Sequence, residues 1–327
     1  MPPKQIFIQI ASYRDPELAA TLSDLISKAH RPEQLRIGIC LQINPADQTS
    51  CGRDSLPHGE TLRGAELLID EVAASDSHGV CWARARTQQL WSGEPFTLQI
   101  DSHMRCIDGW DVELLASWQR CNDPRAILSC YPNAFSPPDQ LDQDFLPLLS
   151  ALHFDEQGIL RLRGFNSFRY PDECPKAPLP SAFIAAGLLF GPSSLIDEVP
   201  YDPQLYFYGE EISLALRLWT RGFNFYNPDR LLLFHLYKAA GQDHITHWAD
   251  HSDWSSLNQR SLARIQALVQ GHDIEPPYGL GDARSLQSYE EWSGVCFSTG
   301  TLSDDAKLGR FSRPPASTGS PTAGSGQ

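Results

Sequence analysis

Residues 96–103 read Phe-Thr-Leu-Gln-Ile-Asp-Ser-His, a short apolar run that ends abruptly in an acid, a serine and an imidazole. An acid and an imidazole are costly to bury without partners, so a strand that ends in both needs a reason. If the run is a parallel strand, Asp101 and His103 lie on one side of the chain and open into the crevice where α/β sheets bind ligands. A carboxylate and an imidazole are two ligands toward a divalent-metal site. The alternative is an ordinary turn, since Asp and Ser favour turns.

The composition predicts a globular protein with a substantial core, because 41% of the 327 residues are hydrophobic and 20% are charged. The formal net charge of −14 argues against a nucleic-acid partner and against adsorption to anionic membranes, which both need lysine and arginine. We find no signal-type apolar stretch and no run near the roughly 20 apolar residues of a membrane anchor. None of the eight cysteines forms a Cys-x-x-Cys pair. We therefore expect a reduced, cytoplasmic protein without a membrane anchor.

The order of apolar segments predicts an α/β fold. A strand at 5–11, a helix at 17–29 and a strand at 35–42 form a β-α-β unit, the opening of a parallel sheet with right-handed crossovers. Residues 65–73 fit either a strand or a helix. Further strands are expected at 96–101, 126–131, 223–226 and 231–234, and further helices at 81–91, 110–121, 210–221 and 253–268.

Two stretches lack a clear period. Residues 132–182 are rich in proline and irregular, with one strand expected at 159–163, and such a stretch is usually functional or mobile. Beyond about residue 299 the chain is rich in Ser, Thr, Pro and Gly, which predicts a disordered tail over 299–327. These boundaries leave one domain over 1–298.

Two further segments carry groups suited to chemistry. The stretch Tyr-Gly-Glu-Glu at 208–211 places two acids at the start of a predicted helix, where stabilisation by the helix dipole is the simpler explanation. Residues 231–235 are a second apolar strand that ends in an imidazole. His235 is therefore either a hydrogen-bonded edge histidine or the third ligand of a metal shared with Asp101 and His103.

Several blocks of the sequence form an ordered set: IQIASYRDP at 8–16, CWAR at 81–84, LQIDSH at 98–103, PYDP at 200–203, YFYGEEIS at 206–213 and RLW at 217–219. Together they resemble the GlcNAc-transferase family of cytoplasmic hydroxyproline-modifying enzymes and, more distantly, the polypeptide GalNAc-transferases. The resemblance runs from Ile6 to about Leu268. Several blocks in this order are far more specific than any one of them.

The resemblance implies a GT-A glycosyltransferase fold, with a Rossmann-like, mostly parallel central sheet flanked by helices. It implies that a sugar is transferred from a nucleotide sugar, with UDP-GlcNAc the expected donor, and with retention of the anomeric configuration. By matching position, Asp101, His103 and His235 would bind Mn²⁺ or Mg²⁺. The other residues implied to contact the donor are Ala11, Ser12 and Tyr13 along the uracil and ribose, Arg84 near the ribose or diphosphate, and Ser102 within the metal-binding block.

The residue types suit this chemistry independently of the resemblance. Breaking a sugar–phosphate bond leaves a UDP dianion, whose charge a divalent metal stabilises as a Lewis acid. Two histidines favour Mn²⁺ over the harder Mg²⁺. In a retaining reaction the acceptor hydroxyl attacks from the face that the diphosphate leaves, and Glu210 or Glu211 would hold donor hydroxyls or stabilise the oxocarbenium charge. A double displacement with one of these carboxylates as nucleophile is the alternative.

Small residues and a polar loop complete the predicted site. The Ala-Ala-Gly step at 185–187 fits either close approach of the donor sugar to Gly187 or tight strand packing. Histidines at 244, 247 and 251 would share one face of a helix and could bind zinc. Because this segment has no apolar stripe, we favour a loop that closes over UDP, with His247 or Trp248 in contact with it.

Three functions are compatible with the sequence. The first is a metal-dependent retaining transferase using UDP-GlcNAc, with a hydroxyl acceptor on a protein, peptide, glycan or small molecule, and with 132–182 contributing to acceptor recognition. The second is a nucleotide-sugar-binding protein without turnover, although the intact acid and imidazole positions argue against it. The third is a metallohydrolase using the Asp/His cluster, for which the sequence shows no general-base arrangement.

Overall fold

A computed structural model describes residues 2–237 and 245–315, and its largest element is an eight-stranded sheet. Strand β1, Ile6–Tyr13, is flanked on either side by the parallel strands β2, Leu35–Ile43, and β4, Phe96–Ile100. The other strands of this sheet are β3 (Glu66–Ala73), β6 (Ala126–Ser129), β11 (Leu179–Ser181), β12 (Leu188–Pro192) and β13 (Asn224–Asn227). The strand order is β11-β13-β6-β12-β4-β1-β2-β3, in which β11 and β12 run antiparallel to their neighbours and the other pairs are parallel.

Helices cover both faces of this sheet, which confirms the α/β prediction. Successive side chains of a strand point to opposite faces, so Ile8 of β1 joins one core and Phe7 joins the other. A strand buried on both faces needs a nearly continuous apolar sequence, as residues 6–10 show. On the Ile8 side lie α1 (Leu18–Lys28) and α3 (Trp110–Arg120), and on the Phe7 side lie α2 (Val80–Gln88) and α5 (Glu210–Trp219).

A four-stranded sheet brings the end of a second apolar strand to the end of β4. Strand β14, Leu233–His235, pairs antiparallel with β5, Met104–Cys106, which follows β4 after three residues. Within this pair His235 lies opposite Met104, next to His103 in the chain. The other two strands are β7 (Asn133–Ser136) and β8 (Gln140–Leu141).

Residues 132–182 are more regular than their sequence predicts. Strands β9, Phe145–Phe154, and β10, Leu160–Arg169, form an antiparallel hairpin with ten residues in each strand. The strand expected at 159–163 is therefore only the beginning of β10. The alternation of β10 is hidden in the sequence, because its register shifts twice and Gly164 interrupts its pattern.

The expectation of a disordered tail from residue 299 is wrong for residues 299–315. Strand β15, Val295–Cys296, pairs with β16, Thr301–Leu302, and α9, Asp304–Leu308, follows. The Ser303 side chain accepts a hydrogen bond from the Ala306 amide and caps α9, and Ala306 is fully buried. Local capping and burial thus extend the fold past the predicted boundary. Residues 316–327 lie outside the described part of the chain.

The remaining elements fit the α/β fold. Residues 65–73, which the sequence left undecided, form the strand β3. In the described ranges, no helix has both the length and the apolar character that crossing a membrane requires. All eight cysteines are free thiols. The other helices are α4 (Ser194–Glu198), α6 (His247–Asp250), α7 (Trp254–Val269) and α8 (Leu286–Ser293).

Candidate active site

A cavity of about 590 Å³ opens where the carboxyl ends of β1 and β4 meet the end of β14. This volume is typical of pockets that bind small molecules. Ser12 is fully buried behind the wall, where its carbonyl oxygen accepts a hydrogen bond from the Gln42 side chain. Every other residue predicted for the site lines the cavity: Ala11, Tyr13, Arg84, Asp101, Ser102, His103, Gly187, Glu210, Glu211, His235, His247 and Trp248.

Asp101, His103 and His235 converge in this cavity as the sequence predicts. Each offers one ligand atom, and these three atoms lie within 4.8 Å of one another. His235 Nε2 is 3.1 Å from His103 Nε2 and 3.2 Å from Asp101 Oδ2. Burial raises the pKa of Asp101, but the neighbouring His235 and then Arg84 outweigh it, so that its pKa lies well below the ordinary value.

Asp15 holds one imidazole of this cluster in place. Its Oδ2 lies 2.6 Å from His103 Nδ1 and accepts a hydrogen bond from the Ser102 hydroxyl at 2.5 Å, and its Oδ1 accepts from the Glu17 amide. Burial raises the pKa of Asp15, but the hydrogen bonds from His103 and Ser102 outweigh it and keep this pKa below its usual value. An ionised carboxylate only accepts hydrogen bonds, so His103 carries a proton on Nδ1, and in the neutral imidazole the Nε2 lone pair faces the cluster.

The three ligand atoms fit a divalent cation. One carboxylate oxygen and the Nε2 atoms of two imidazoles surround one point, and a histidine ligand whose other nitrogen donates to a carboxylate is typical of protein metal sites. The Nδ1 atom of His235 is buried and has no hydrogen-bond partner within the described residues. The Nε2 atom of His235 is therefore available as a ligand. The ion itself remains a prediction.

Arg84 connects the cluster to the first acid of α5. Its side chain is buried, with Nη1 2.5 Å from Glu210 Oε1 and Nη2 3.3 Å from Asp101 Oδ1. The Cys81 thiol donates to the other oxygen of Glu210 at 3.0 Å. Arg84 and Cys81 lie on one face of α2, because residues three apart on a helix are neighbours. Glu210 is thus a fixed, ion-paired carboxylate rather than only a residue that stabilises the start of a helix.

Glu211 has a different environment from Glu210. Its Oε1 accepts from the Ala186 amide at 2.9 Å, and its Oε2 accepts from the Tyr131 hydroxyl at 2.7 Å. Burial raises the pKa of Glu211 to about 7, although both hydrogen bonds oppose the shift. The two adjacent acids therefore have different partners: Glu210 is paired with the Arg84 guanidinium, whereas Glu211 accepts hydrogen bonds from an amide and a hydroxyl.

Gly187 lies directly beside the metal-ligand cluster. A Cβ atom at this position would be 3.2 Å from Asp101 Oδ2 and 3.9 Å from His235 Cδ2. A side chain here would compete with whatever occupies the space in front of Asp101. This observation favours close approach of a ligand over the alternative of simple strand packing.

The segment after residue 244 contacts the rim of the cavity. His247 Nδ1 is 2.9 Å from the Tyr206 hydroxyl and its Nε2 is 3.1 Å from the Ser77 carbonyl oxygen. The rings of His247 and His251 stack with centroids 3.8 Å apart, and Asp250 accepts a hydrogen bond from the Tyr13 hydroxyl at 2.8 Å. The third histidine of the zinc hypothesis, His244, lies outside the described residues.

Several wall residues were not predicted. Asp15 was not among the predicted site residues, and it also accepts a hydrogen bond from the Glu17 amide just before α1. Asp15 and His103 are 88 positions apart in the sequence, and no local sequence pattern predicts their contact. Tyr131 and three half-exposed aromatic residues, Phe207, Tyr208 and Tyr237, were also not predicted. Phe207 and Tyr208 directly precede the predicted acids, so their position in the sequence was a usable signal.

The mostly parallel sheet of this chain, with the Asp101, His103 and His235 cluster at the carboxyl end of β4, has the arrangement of a GT-A glycosyltransferase fold. The family model described as "Glycosyltransferase (GlcNAc)" matches residues 5–57 and 46–299, so the chain belongs to this glycosyltransferase family. No significant match was found among curated protein sequences.

Solved structures are similar to this chain at low sequence identity. A crystal structure of GalNAc-T7 with UDP, GalNAc and Mn²⁺ matches with a TM-score of 0.58 and 15% identity, covering 88% of this chain and 54% of that one. The chain thus spans about half of the GalNAc-T7 structure. A crystal structure of S. aureus TarS 1-349 with UDP-GlcNAc matches with a TM-score of 0.46 and 10% identity, covering 83% of this chain and 68% of that one.

Proposed function

We propose that the protein is a metal-dependent retaining glycosyltransferase that transfers GlcNAc from UDP-GlcNAc to a hydroxyl acceptor. The observation that carries the proposal is the convergence of Asp101, His103 and His235 in a cavity that also contains the two acids of α5. The GalNAc-T7 structure of the same fold contains UDP, GalNAc and Mn²⁺, which supports a metal and a nucleotide sugar here as well.

The metal ligands and Arg84 would hold the diphosphate of the donor. A divalent ion bound by Asp101, His103 and His235 would stabilise the negative charge that builds up on the departing diphosphate. Arg84 adds a fixed positive charge 3.3 Å from Asp101. Ala11 and Tyr13 at the end of β1 line the part of the cavity proposed for the uracil and ribose. The residues proposed to hold the donor form what we call the donor side: Ala11, Tyr13, Asp15, Arg84, Asp101, His103, Glu210, Glu211 and His235.

The two acids of α5 would act on the donor sugar. Glu210, held by Arg84 and Cys81, supplies a preorganised negative charge that stabilises a developing oxocarbenium ion. Glu211 accepts from the Ala186 amide, one residue before Gly187, and so orients the backbone that the sugar would approach. Because its pKa is about 7, Glu211 can also donate a hydrogen bond to a sugar oxygen when it is protonated.

Retention follows most simply from attack on the face that the diphosphate leaves. Arg84 and Cys81 occupy the hydrogen-bonding positions of Glu210, which disfavours Glu210 as a nucleophile in a double displacement. The acceptor hydroxyl would then lose its proton to the departing phosphate. We assign six apolar residues of the cavity lining to the acceptor and call them the acceptor side: Leu160, Leu162, Phe207, Tyr208, Tyr237 and Trp248.

Calorimetric titration with UDP tests this proposal directly. We expect UDP to bind in the presence of Mn²⁺ and to bind much more weakly after EDTA treatment, because the ion neutralises the diphosphate. Asp101→Ala should abolish the Mn²⁺-dependent part of binding. Equal UDP binding with and without Mn²⁺, or by Asp101→Ala, would contradict the proposal.

Turnover separates this proposal from a binding protein and from a hydrolase. A panel of UDP-sugars is incubated with Mn²⁺, and slow release of free UDP identifies the donor. Proton NMR of the first sugar product then reports its anomer, which we expect to match the donor. Binding without any UDP release would favour a protein without turnover, whereas cleavage of substrates that contain no nucleotide would favour a metallohydrolase.

The remaining parts of the proposal concern the setting of the enzyme. We propose that the fold up to α9 forms one catalytic domain and that residues 132–182 contribute to acceptor recognition. The free cysteines support residence in a reducing compartment such as the cytoplasm. The acceptor is a hydroxyl of a protein side chain, a peptide or a glycan.

A further inference from the structure

A second cavity adjoins the acceptor side. It has a volume of about 410 Å³ and is built largely from the β7 and β9–β10 strands of the 132–182 segment. Four residues line both this cavity and the proposed active site, so the two spaces share a wall: Tyr131, Pro132, Leu162 and Tyr237. A molecule that presents a hydroxyl to the donor sugar can therefore extend past Tyr237 into the second cavity.

The far wall of this second cavity carries polar side chains with few internal partners. Within the described residues, the Asn166 side chain makes no hydrogen bond and Arg163 has no carboxylate partner. The Arg163 guanidinium makes a long 3.4 Å hydrogen bond to the Lys307 carbonyl oxygen and lies over the Phe165 ring, 5.5 Å from its centroid. Asp142 accepts one hydrogen bond, from the Asp144 amide, through a single oxygen. These groups present both donors and acceptors, and the two opposite charges balance.

The near wall is a fixed aromatic ring. Tyr237 is 46% exposed, and its hydroxyl donates to the Pro132 carbonyl oxygen at 2.8 Å. Its ring also packs against His235, with centroids 4.4 Å apart. The ring is thus held by both ends while much of its surface stays open, which lowers the entropy lost when a ligand packs on it.

We propose that the second cavity binds a sugar ring of the acceptor, so that the natural acceptor is a neutral saccharide chain rather than a polypeptide. This inference rests on the proposed function. A sugar ring has apolar C–H faces that pack on an aromatic ring, and its hydroxyls both donate and accept hydrogen bonds. A polypeptide is usually bound along a strand edge or by a run of apolar pockets, and the wall around Asn166 provides side-chain polar groups instead.

The test uses the whole enzyme, with Mn²⁺ and the UDP-sugar that it hydrolyses. Acceptors are methyl glycosides of glucose, galactose, mannose and N-acetylglucosamine, their disaccharides, and peptides containing serine, threonine or hydroxyproline. For at least one sugar we expect the disaccharide to have a KM about tenfold below that of its monosaccharide, because the second ring gains a hydrogen bond and an aromatic contact. Asn166→Ala and Arg163→Ala should each remove most of this gain and leave the rate of donor hydrolysis unchanged.

Matched controls lie on the same hairpin and outside both cavities. Gln157→Ala and Arg169→Ala delete the same side-chain chemistry and should leave the disaccharide gain intact. Donor hydrolysis with transfer to peptides only, or without any gain from a second sugar ring, would overturn the saccharide assignment. An enzyme that hydrolyses no UDP-sugar would refute the proposed function and this inference together.

Discussion

The donor side and the acceptor side of the cavity differ in how their side chains are held. On the donor side, Asp15, Arg84 and Glu210 are at most 8% exposed, and each makes at least two polar contacts with other side chains or backbone. On the acceptor side, Tyr208 and Trp248 are 42% and 38% exposed and make mainly ring contacts, with Arg161 and Phe207 respectively.

This difference indicates how each side would work. Charged groups that are buried together stay fixed only while every partner is present, so the donor side is preorganised and intolerant of change. Exposed rings such as Tyr208 and Trp248 can be removed at little cost to the fold, so this part of the acceptor side can vary with its substrate.

Arg84→Met should have the largest effect, a loss of about 3–5 kcal/mol in the free energy of unfolding, because it leaves Glu210 and Asp101 without their shared buried cation. Urea denaturation measures the change. Arg86→Met on the same helix is the control, since its partly exposed pair with Asp70 should contribute about 1 kcal/mol or less. Equal losses in both variants would show that the donor side is not specially dependent on its ion pairs.

Asp15→Asn should weaken Mn²⁺ binding by about 10- to 100-fold, because His103 loses the carboxylate that fixes its tautomer and ring orientation. Electron paramagnetic resonance of free Mn²⁺ gives the Kd. Asp47→Asn, which removes a carboxylate paired with Arg14 outside the ligand cluster, should leave this Kd unchanged. An unchanged Kd in Asp15→Asn would mean that Asp15 serves only to start α1.

Glu211 should make stability fall with rising pH. Its pKa is raised from 4.5 to about 7, so between these values the folded protein binds more protons than the unfolded chain. The free energy of unfolding should therefore decrease between about pH 4.5 and about pH 7. Above about pH 7, Glu211 should no longer contribute to its pH dependence. Urea titrations of metal-free protein across this window measure the slope, and Glu211→Gln should reduce it. A steeper decrease in the variant would contradict the assignment.

Two neighbouring residues give the smallest effects and mark the boundary between the two sides. His247→Ala removes hydrogen bonds to Tyr206 and Ser77 and should raise the Kd of UDP with Mn²⁺ by about tenfold. Trp248→Ala should change the free energy of unfolding by less than about 0.5 kcal/mol, because the ring is half exposed. Calorimetry and urea denaturation measure these values. A larger UDP effect in Trp248→Ala would move Trp248 to the donor side.

The sequence predicted the elements that carry strong local periodicity. Strand β1, helix α5 and the acid–imidazole end of β4 were expected near their observed positions, because buried strands and amphipathic helices have distinct periods. The β9–β10 hairpin and α9 were not predicted. Prolines in the surrounding sequence and two register shifts concealed the hairpin, and a composition rich in small and polar residues concealed α9.

The candidate site was predicted in part for the same reason. Asp101 and His103 share a strand end and were recognisable together, and His235 was found because it ends a second apolar strand. Ser12 was expected along the donor, yet its side chain is buried behind the wall. Tyr131 and Asp15 escaped notice because their partners, Glu211 and His103, lie 80 and 88 positions away.

The linear order of residues determined which side chains are available: an acid and two imidazoles at strand ends, and two adjacent acids at a helix start. Only the three-dimensional fold decided how each of them behaves. The pairing of β5 with β14 sets the 3.1 Å spacing between the two histidines, and the position of Arg84 makes Glu210 an ion pair while Glu211 is left with a pKa of about 7. Charge and burial depend on neighbours in space, and these are fixed by packing across the whole chain.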